Sequence, residues 1–248
     1  MLLPICVKIH LECEMDKYKV VVLISAGTEW RLVRALYPGV EVKMSPYGEW
    51  FTVAVPANQD AFRVCVMHVG WGKVAAAASA QYAIDTWAPD LVVNLGTCGG
   101  FQGHIARDTV ILVEKTLIYD IIEQMGDPAA AIYHYTTELD LSWLQQPYPF
   151  PVHTGLLLSG DRDLVPEEVE VLYKTYGAIA GDWESGSIAW VATRNNVRCL
   201  ILRWVTDLVG KDGGEAYDGT LDIFHERARY AMSALMVSLH EWLFCAGF

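Results

Sequence analysis

Positive charge is scarce in this chain of 248 residues. Lysine and arginine total 18 against 30 aspartates and glutamates, which gives a formal net charge of −12 at pH 7. A surface this acidic repels the phosphate backbone of a nucleic acid and the anionic lipids of a membrane. The composition therefore argues against nucleic acid and membrane as main partners, although it does not exclude a local pocket for a small anion.

Closely spaced metal ligands and paired cysteines are also absent. The 6 cysteines and 7 histidines are dispersed, with no CxxC, HxxxH or HExxH pattern. Short Cys and His spacings are the usual signature of a zinc site, and a compact cysteine framework is typical of small secreted domains. We therefore expect reduced thiols and no metal site.

No apolar stretch is long enough to cross a membrane. The longest run without Asp, Glu, Lys or Arg covers residues 141–160 and contains Pro147, Pro149 and Pro151. Prolines at this density prevent a continuous lipid-exposed helix. The apolar N-terminus stops at Lys8, which is too early for the core of a signal peptide. The expected location is therefore the cytoplasm.

Apolar residues are plentiful, at 53% of the chain, which is enough for a large core. Apolar runs typical of buried strands, such as KVVVLIS at 19–25, alternate with helical patterns, such as the alanine-rich 73–87, and no repeat is visible. This alternation predicts a single three-layer α/β domain with a central mixed, mostly parallel sheet flanked by helices.

The predicted domain covers residues 18–248, and 1–17 are expected to be an N-terminal extension. Within the domain, the periodicity of 221–244 predicts one long amphipathic helix. Residues 121–152 are rich in proline and aromatic side chains. We expect them to be irregular and to serve as a lid, a hydrophobic dimer surface or both.

Polar residues follow the predicted strands, and the ligands of such sheets bind beyond the carboxyl ends of strands. A polar strand end is an ordinary feature when taken alone, but the whole set indicates one pocket lined by acids. The set comprises Glu29, the segment GTCGG at 96–100, Tyr119, Asp120, Ser159, Gly160, Asp161, Asp182, Trp183, Glu184, Thr206 and Asp207.

Two glycine-rich segments give weaker signals. The glycines of GTCGG allow backbone N–H groups to approach a ligand closely, but the segment lacks the GxGxxG spacing of a dinucleotide loop. The segment GWGK at 70–73 lacks the spacing of a phosphate loop and the Ser or Thr that follows its lysine. We interpret GWGK as a tight strand-to-helix turn.

Several segments occur in the order found in one known superfamily. They are YKVVVLISAGTEWRLV at 18–33, VGWGKVAAA at 69–77, NLGTCGGF at 94–101, TGLLLSGD at 154–161, DWESGSIAWVA at 182–192 and LRWVTDLV at 202–209. In this order they resemble the nucleoside phosphorylase/nucleosidase superfamily, and most of all its plant-type 5′-methylthioadenosine/S-adenosylhomocysteine nucleosidases. The resemblance covers about 18–245.

The resemblance implies roles for the acids. In this family an aspartate near the end of the last long strand protonates N7 of the purine, and the matching residue is Asp207, which follows Thr206. A neutral base leaves far more easily than an anionic one, and burial would raise the pKa of the acid so that it can donate. Glu29 would bind the attacking water, and Glu184 would accept hydrogen bonds from the ribose 2′- and 3′-hydroxyls.

Further substrate-binding positions follow from the same matches. Thr97 and Cys98 would line the ribose side, Leu164 would pack on the base, and Gly99 is a further substrate-binding position. Trp183 stands where the family usually has methionine, and this departure changes the shape of the pocket.

Three further matches complete the expected site: Asp161, Thr206 and Arg203. Arg203 lies four residues before the proposed acid on one strand, so both face the same side. It is either an ion-pair partner within the pocket wall or a plain structural pair. Arg162 and Asp163 depart from the apolar residues usual after SGD, and they point to a different base edge.

These implications favour a cofactor-independent nucleosidase that acts as a homodimer in methionine salvage. It would hydrolyse the N-ribosidic bond of 5′-methylthioadenosine, S-adenosylhomocysteine or a related purine nucleoside and release the free purine base. A phosphorylase is the first alternative, but a carboxylate at the first turn repels phosphate and suits water. A non-catalytic storage or interaction protein on this fold is the second. Retained acids argue against it, because buried acids cost stability. A nucleosidase for another base also remains open.

Overall fold

A computed structural model describes residues 18–56, 62–210, 213–214 and 221–248, with the side chains of 213–214 and 221–224 left out. The predicted extension, 1–17, lies outside the described residues. The strands run along the chain as β1 (Val20–Ile24), β2 (Lys43–Met44), β3 (Glu49–Val55), β4 (Phe62–His68), β5 (Leu91–Phe101), β6 (Val110–Ile118), β7 (Thr136–Glu138), β8 (Val152–Ser159), β9 (Ala178–Asp182), β10 (Arg198–Gly210) and β11 (Gly213–Gly214).

Seven α-helices lie between and after these strands in the described part of the chain. They are α1 (Gly27–Leu36), α2 (Gly72–Trp87), α3 (Pro128–His134), α4 (Val169–Tyr176), α5 (Ser185–Arg194), α6 (Leu221–Val237) and α7 (Leu239–Cys245). No helix among these residues combines the length and the hydropathy that crossing a bilayer requires.

The sheet is mixed and is organised around β5. This strand pairs in parallel with β1 on one side and with β10 on the other. β4 continues the parallel pairing beyond β1, whereas β3 and β2 add an antiparallel edge. On the other flank, β10, β6, β8 and β9 follow in order, and β9 returns to β5. The strands β5, β10, β6, β8 and β9 thus form a closed ring.

Helices cover both faces of this sheet, which confirms the expected three-layer α/β domain. On one face, α1 packs beside α6 and α7 through side chains such as Trp30, Leu235 and Trp242. On the other face, α2 and α5 pack together through small residues such as Ala80 and Ala192. Small side chains let these two helices approach the sheet closely.

The glycine-rich segment is part of a strand, whereas the sequence indicated a strand that ends before it. β5 continues through residues 96–100, because their backbones pair with β10 and, at Gly99 and Gly100, with β9. There is no room for side chains: a β-carbon at Gly100 would lie 2.6 Å from Cγ1 of Val205 and 2.8 Å from Cγ2 of Ile105. Strand packing alone therefore requires glycine at position 100, apart from any approach of a ligand to the backbone.

Two further expectations need correction. The long C-terminal helix is divided between α6 and α7, where the Ser238 hydroxyl donates to the Leu235 carbonyl at 3.2 Å. Serine back-bonding of this kind bends helices. The stretch 121–152 is not wholly irregular, because it contains α3 and β7. The Asp127 carboxylate caps the first of these, and β7 pairs with β6.

A bulge in β10 adjusts the direction of the strand next to the cavity described below. The pairing with β5 shifts by one residue between Val205, opposite Cys98, and Asp207, opposite Gly99. The extra residue is Thr206. Bulges bend a strand locally and often re-aim a side chain beside a functional site.

We predict that Gly100→Ala lowers the free energy of unfolding by about 1–3 kcal/mol, because the added methyl group overpacks the junction of β5 and β10. Urea unfolding measures the change. Gly27→Ala is the matched control, since its β-carbon would meet no atom closer than 3.7 Å. Equal stability of the two variants would contradict the close strand packing.

Candidate active site

A cavity of about 210 Å³ lies where β1, β9 and the glycine-rich half of β5 meet β10. Acidic side chains dominate its charged lining, as the strand ends indicated. The cavity is lined by Ala26, Glu29, Trp71, Thr97, Cys98, Gly99, Arg162, Asp163, Leu164, Gly181, Asp182, Trp183, Glu184, Arg203, Asp207 and Val209.

Glu29 is fixed in the first turn of α1 and is buried. Its Oε1 accepts hydrogen bonds from the Thr97 amide at 2.6 Å and from the Thr97 hydroxyl at 2.8 Å. Burial raises the pKa of Glu29, while Arg203 and the two Thr97 donors oppose that rise. With Oε1 occupied by protein donors, Oε2 remains the oxygen that can accept from a ligand or a water.

Glu184 immediately precedes α5 and is buried. The Gly72 amide, at the start of α2, donates to its Oε1 at 3.0 Å. Burial raises the pKa of Glu184 to about 8, with the nearby Asp182 carboxylate adding to the rise. A carboxyl group with a raised pKa keeps its proton to a higher pH, and in its protonated form it can donate as well as accept hydrogen bonds.

A buried ion pair supports the cavity wall. Nε of Arg203 donates to Oδ2 of Asp182 at 2.8 Å, and Nη2 donates to Oδ1 of Asn94 at 2.6 Å. The same aspartate accepts from the Ser159 hydroxyl at 2.6 Å and from the Ser185 amide at 3.1 Å. The guanidinium is thus held rigidly from two strands and the start of a helix.

One nitrogen of the Arg203 guanidinium does not take part in these hydrogen bonds. Nη1 of Arg203 is buried and has no hydrogen-bond partner within the described part of the chain. A β-carbon at Gly96 would collide with this nitrogen and would lie 3.1 Å from Oε2 of Glu29. The missing side chain at position 96 therefore lets a buried cation and a buried carboxylate approach the same small space.

Asp207 lines the part of the cavity next to Gly99. Its Oδ1 accepts a hydrogen bond from the Thr206 hydroxyl at 3.1 Å. A β-carbon at Gly99 would lie 3.5 Å from Oδ2 of Asp207 and 3.3 Å from Cδ1 of Leu164. The acid and the leucine therefore both border the space above Gly99, which offers a polar edge and an apolar face to one ligand.

The structure brings most of the expected site residues together. Thr206 and Asp161 do not line the cavity. Thr206 acts on Asp207 through its hydroxyl, as described above. Asp161 accepts from the Lys73 amide at 2.7 Å and lies 3.9 Å from the Lys73 ammonium, at the turn that precedes α2. Arg203 lines the cavity and also forms a buried ion pair with Asp182, so it is an ion-pair partner within the pocket wall.

Sequence reasoning gave no role to three residues that shape the site. Asp182 stood among the acids at the strand ends, but nothing local indicated its arginine partner. Asn94 is a polar residue in an apolar strand, and such a residue needs a buried partner, so this signal was available. Trp71 lies in the segment that was interpreted as a plain turn, but it lines the cavity.

Comparisons with known proteins identify relatives over most of the chain. Residues 19–240 match the family model described as the phosphorylase superfamily. A 5′-methylthioadenosine/S-adenosylhomocysteine nucleosidase of Buchnera aphidicola subsp. Acyrthosiphon pisum (strain Tuc7) is 26% identical over 218 residues, covering 84% of this chain and 91% of its own. The enzyme of that name from Tolumonas auensis is 24% identical, covering 71% of this chain and 82% of its own.

Solved structures share the fold. The crystal structure of the Helicobacter pylori nucleosidase of the same name, with butyl-thio-DADMe-Immucillin-A, has a TM-score of 0.72 and 18% identity, covering 92% of this chain and 99% of that one. A futalosine hydrolase mutant of the same species has a TM-score of 0.68 and 17% identity, covering 91% and 99%. At these identities the likeness concerns the fold alone.

We predict that Glu184 makes stability fall as the pH rises through neutrality. The folded-state pKa of about 8 exceeds the ordinary value of 4.5. The folded protein therefore holds an extra proton between these pH values, and the free energy of unfolding decreases across the interval. Glu184→Gln should lose less stability between pH 5 and pH 8 than the unaltered protein does, as measured by thermal unfolding. Identical losses would show that the side chain is ionised throughout.

Proposed function

The chain belongs to the phosphorylase superfamily, and from this membership and the acids of the cavity we propose that it hydrolyses the N-ribosidic bond of a purine nucleoside. The products are a free purine and a sugar. Its relatives are named for 5′-methylthioadenosine and S-adenosylhomocysteine, so these nucleosides or close analogues are the proposed substrates.

The observation that carries the proposal is that Glu29, Glu184 and Asp207 are all buried around one cavity. Buried acids are costly to the fold, and groups of them in a cleft are characteristic of functional sites. The site residues identified from the sequence resemblance thus share a space in which one nucleoside can contact each of them.

Asp207 is the proposed general acid. Protonation of the purine at N7 converts an anionic leaving group into a neutral base, and a positioned acid typically contributes 10²–10⁴-fold to the rate. The apolar face of Leu164, on the other side of Gly99, supports the placement of the flat base next to this acid. The Thr206 hydroxyl donates to one carboxyl oxygen of Asp207 and so helps to fix the orientation of the carboxyl group.

Departure of the base leaves positive charge on the sugar, in an oxocarbenium-like transition state. Carboxylates near the ring stabilise that charge. Glu184 binds the ribose hydroxyls, and its raised pKa lets it donate to one hydroxyl or accept from it. The Gly72 amide fixes the rotamer of Glu184 before the substrate arrives.

Water is the proposed nucleophile, and Glu29 and Arg203 are proposed to position it. The free Nη1 of the arginine and Oε2 of Glu29 approach the same space, so that a water there can donate to the carboxylate and accept from the guanidinium. The carboxylate then receives a proton as the water attacks the sugar.

The charge of the cavity favours hydrolysis over phosphorolysis. Asp182 already neutralises Arg203 through a buried ion pair, and Glu29 and Asp163 lie on the same lining. Arg162 lines the cavity but is bonded to Glu168 at 3.1 Å. A phosphate dianion would therefore meet net negative charge, whereas a neutral water does not.

The remaining proposals concern the setting. We propose a homodimer that acts in methionine salvage, as the sequence resemblance implies, and we propose the cytoplasm as its location. A groove lined by Ile132, Tyr133 and Tyr176 supports an association surface, because Tyr133 is largely exposed.

We predict that Asp207→Asn lowers kcat for purine release from 5′-methylthioadenosine by at least ~10²-fold, with a smaller effect on KM, because the amide keeps the shape but has no acidic proton. Steady-state measurement of released adenine gives both constants. The matched control is Asp108→Asn, an exposed site with a positive φ that asparagine adopts readily. Near-normal turnover by the first variant would exclude the assigned acid.

A further inference from the structure

Helix α2 takes its N-terminal caps from distant parts of the chain. Trp71 precedes the helix, and its indole is a hydrogen-bond donor only, so it cannot cap the helix amides. The Gly72 amide donates instead to Oε1 of Glu184 at 3.0 Å, and the Lys73 amide donates to Oδ1 of Asp161 at 2.7 Å. A carboxyl group of the cavity and a carboxylate outside it therefore share the N-terminus of one helix.

Asp120, which follows β6, joins these contacts into a closed ring. Its Oδ1 forms an ion pair with the Lys73 ammonium, and its Oδ2 accepts from the Asp161 amide at 2.9 Å. Asp161 in turn accepts from the Lys73 amide, as described above. The ring of Lys73, Asp120 and Asp161 thus ties the ends of β6 and β8 to the first turn of α2.

Two members of this ring are largely buried. The side chains of Lys73 and Asp120 expose 18% and 15% of their surfaces. Solvent therefore screens their attraction less than that of an ion pair on an open helix face. The pair of Lys174 and Glu170 on α4 is of that open kind, since the lysine side chain is 74% exposed and the N–O distance is 3.6 Å.

The ring is in direct contact with the backbone of Gly72. This residue has a φ of +82°, and a β-carbon on it would lie 2.9 Å from Oδ1 of Asp161. The Asp161 carboxylate thus packs against Gly72 and binds the amide of the next residue. The direction of the Gly72 N–H bond, and with it the position of the Glu184 oxygen that accepts from it, depends on where the ring holds this turn.

The ring can act on a ligand of the cavity only through these neighbours. Glu184 lines the cavity, whereas Lys73, Asp120 and Asp161 do not. In the proposed function Glu184 binds the ribose 2′- and 3′-hydroxyls. An effect of the ring on the reaction should therefore concern recognition of these hydroxyls.

We propose that Lys73, Asp120 and Asp161 are positioning residues, which hold the Gly72 amide against Glu184 and so set the orientation in which this carboxyl group meets the ribose hydroxyls. This inference rests on the proposed function. Disturbing the ring misaligns a hydrogen bond between Glu184 and the substrate, and the loss of one such bond corresponds to about tenfold in discrimination.

The test compares kcat/KM for 5′-methylthioadenosine and its 2′-deoxy analogue. The intrinsic reactivities of the two nucleosides cancel when variants are compared. We expect the ratio of the ribose to the 2′-deoxy compound to fall about tenfold in Lys73→Met and in Asp120→Asn. An equal loss of activity on both compounds would show that the ring only stabilises the fold, and this result or an unchanged activity overturns the proposal.

Two variants support this comparison. Asp120→Asn keeps the shape of the side chain and carries the test alone if Lys73→Met does not fold. Lys174→Met is the matched control, because it removes a lysine from the exposed ion pair on α4, and its ratio should equal that of the unaltered protein.

Hydrogen exchange of the Gly72 amide, followed by NMR without substrate, separates this inference from the proposed function. We expect exchange at Gly72 to be about tenfold faster in Asp120→Asn, with the Ala83 amide in the buried middle of α2 unchanged. Unchanged exchange at Gly72, or equal acceleration at both amides, overturns the inference. Faster exchange at Gly72 alone, in a protein that releases no purine, supports the role of the ring and rejects the proposed function.

Discussion

The buried ion pair between Arg203 and Asp182 is the interaction on which the cavity depends. Several buried carboxylates line the cavity, and mutual repulsion would destabilise them without a cation among them. Arg203 supplies that cation, from a strand that also carries Asp207. Removing either partner of such a pair leaves a buried, uncompensated charge, which typically costs 3–5 kcal/mol. The remaining nitrogen of the guanidinium and Oε2 of Glu29 both lie close to Gly96.

The close approach of β5 to its neighbours is the second feature on which the cavity depends. Gly96 leaves room for the guanidinium, and Gly99 leaves room between Leu164 and Asp207. Any side chain at these positions would separate the groups that the proposed reaction needs together. The fold and the site therefore both require glycine in β5. The bulge at Thr206 shifts the register of β10 against this strand.

The sequence was sufficient to predict the α/β class and most of the cavity lining, because buried strands and their polar ends are local patterns. Glu29, Glu184 and Asp207 were found as acids after strands and as matches to an ordered set of segments. The role of Asp182 was not predictable, since its arginine is 21 residues away on a strand that is not its neighbour. β5 continues through its glycines because β10 and β9 pair with it there. The strand propensities of the residues do not predict this pairing. The contact between Asp161 and the Lys73 amide joins two turns that are far apart in the sequence, so no local pattern indicated it.

The central claim is that water, not phosphate, attacks the sugar of the nucleoside. The most direct test is purine release from 5′-methylthioadenosine with and without inorganic phosphate, with both products identified. We expect release at the same rate in both conditions and a free thioribose as the second product, because Glu29 and Asp182 leave no net positive charge for an anion. Release that requires phosphate, with a sugar 1-phosphate as product, would contradict the account and would mean that Glu29 does not position the nucleophile.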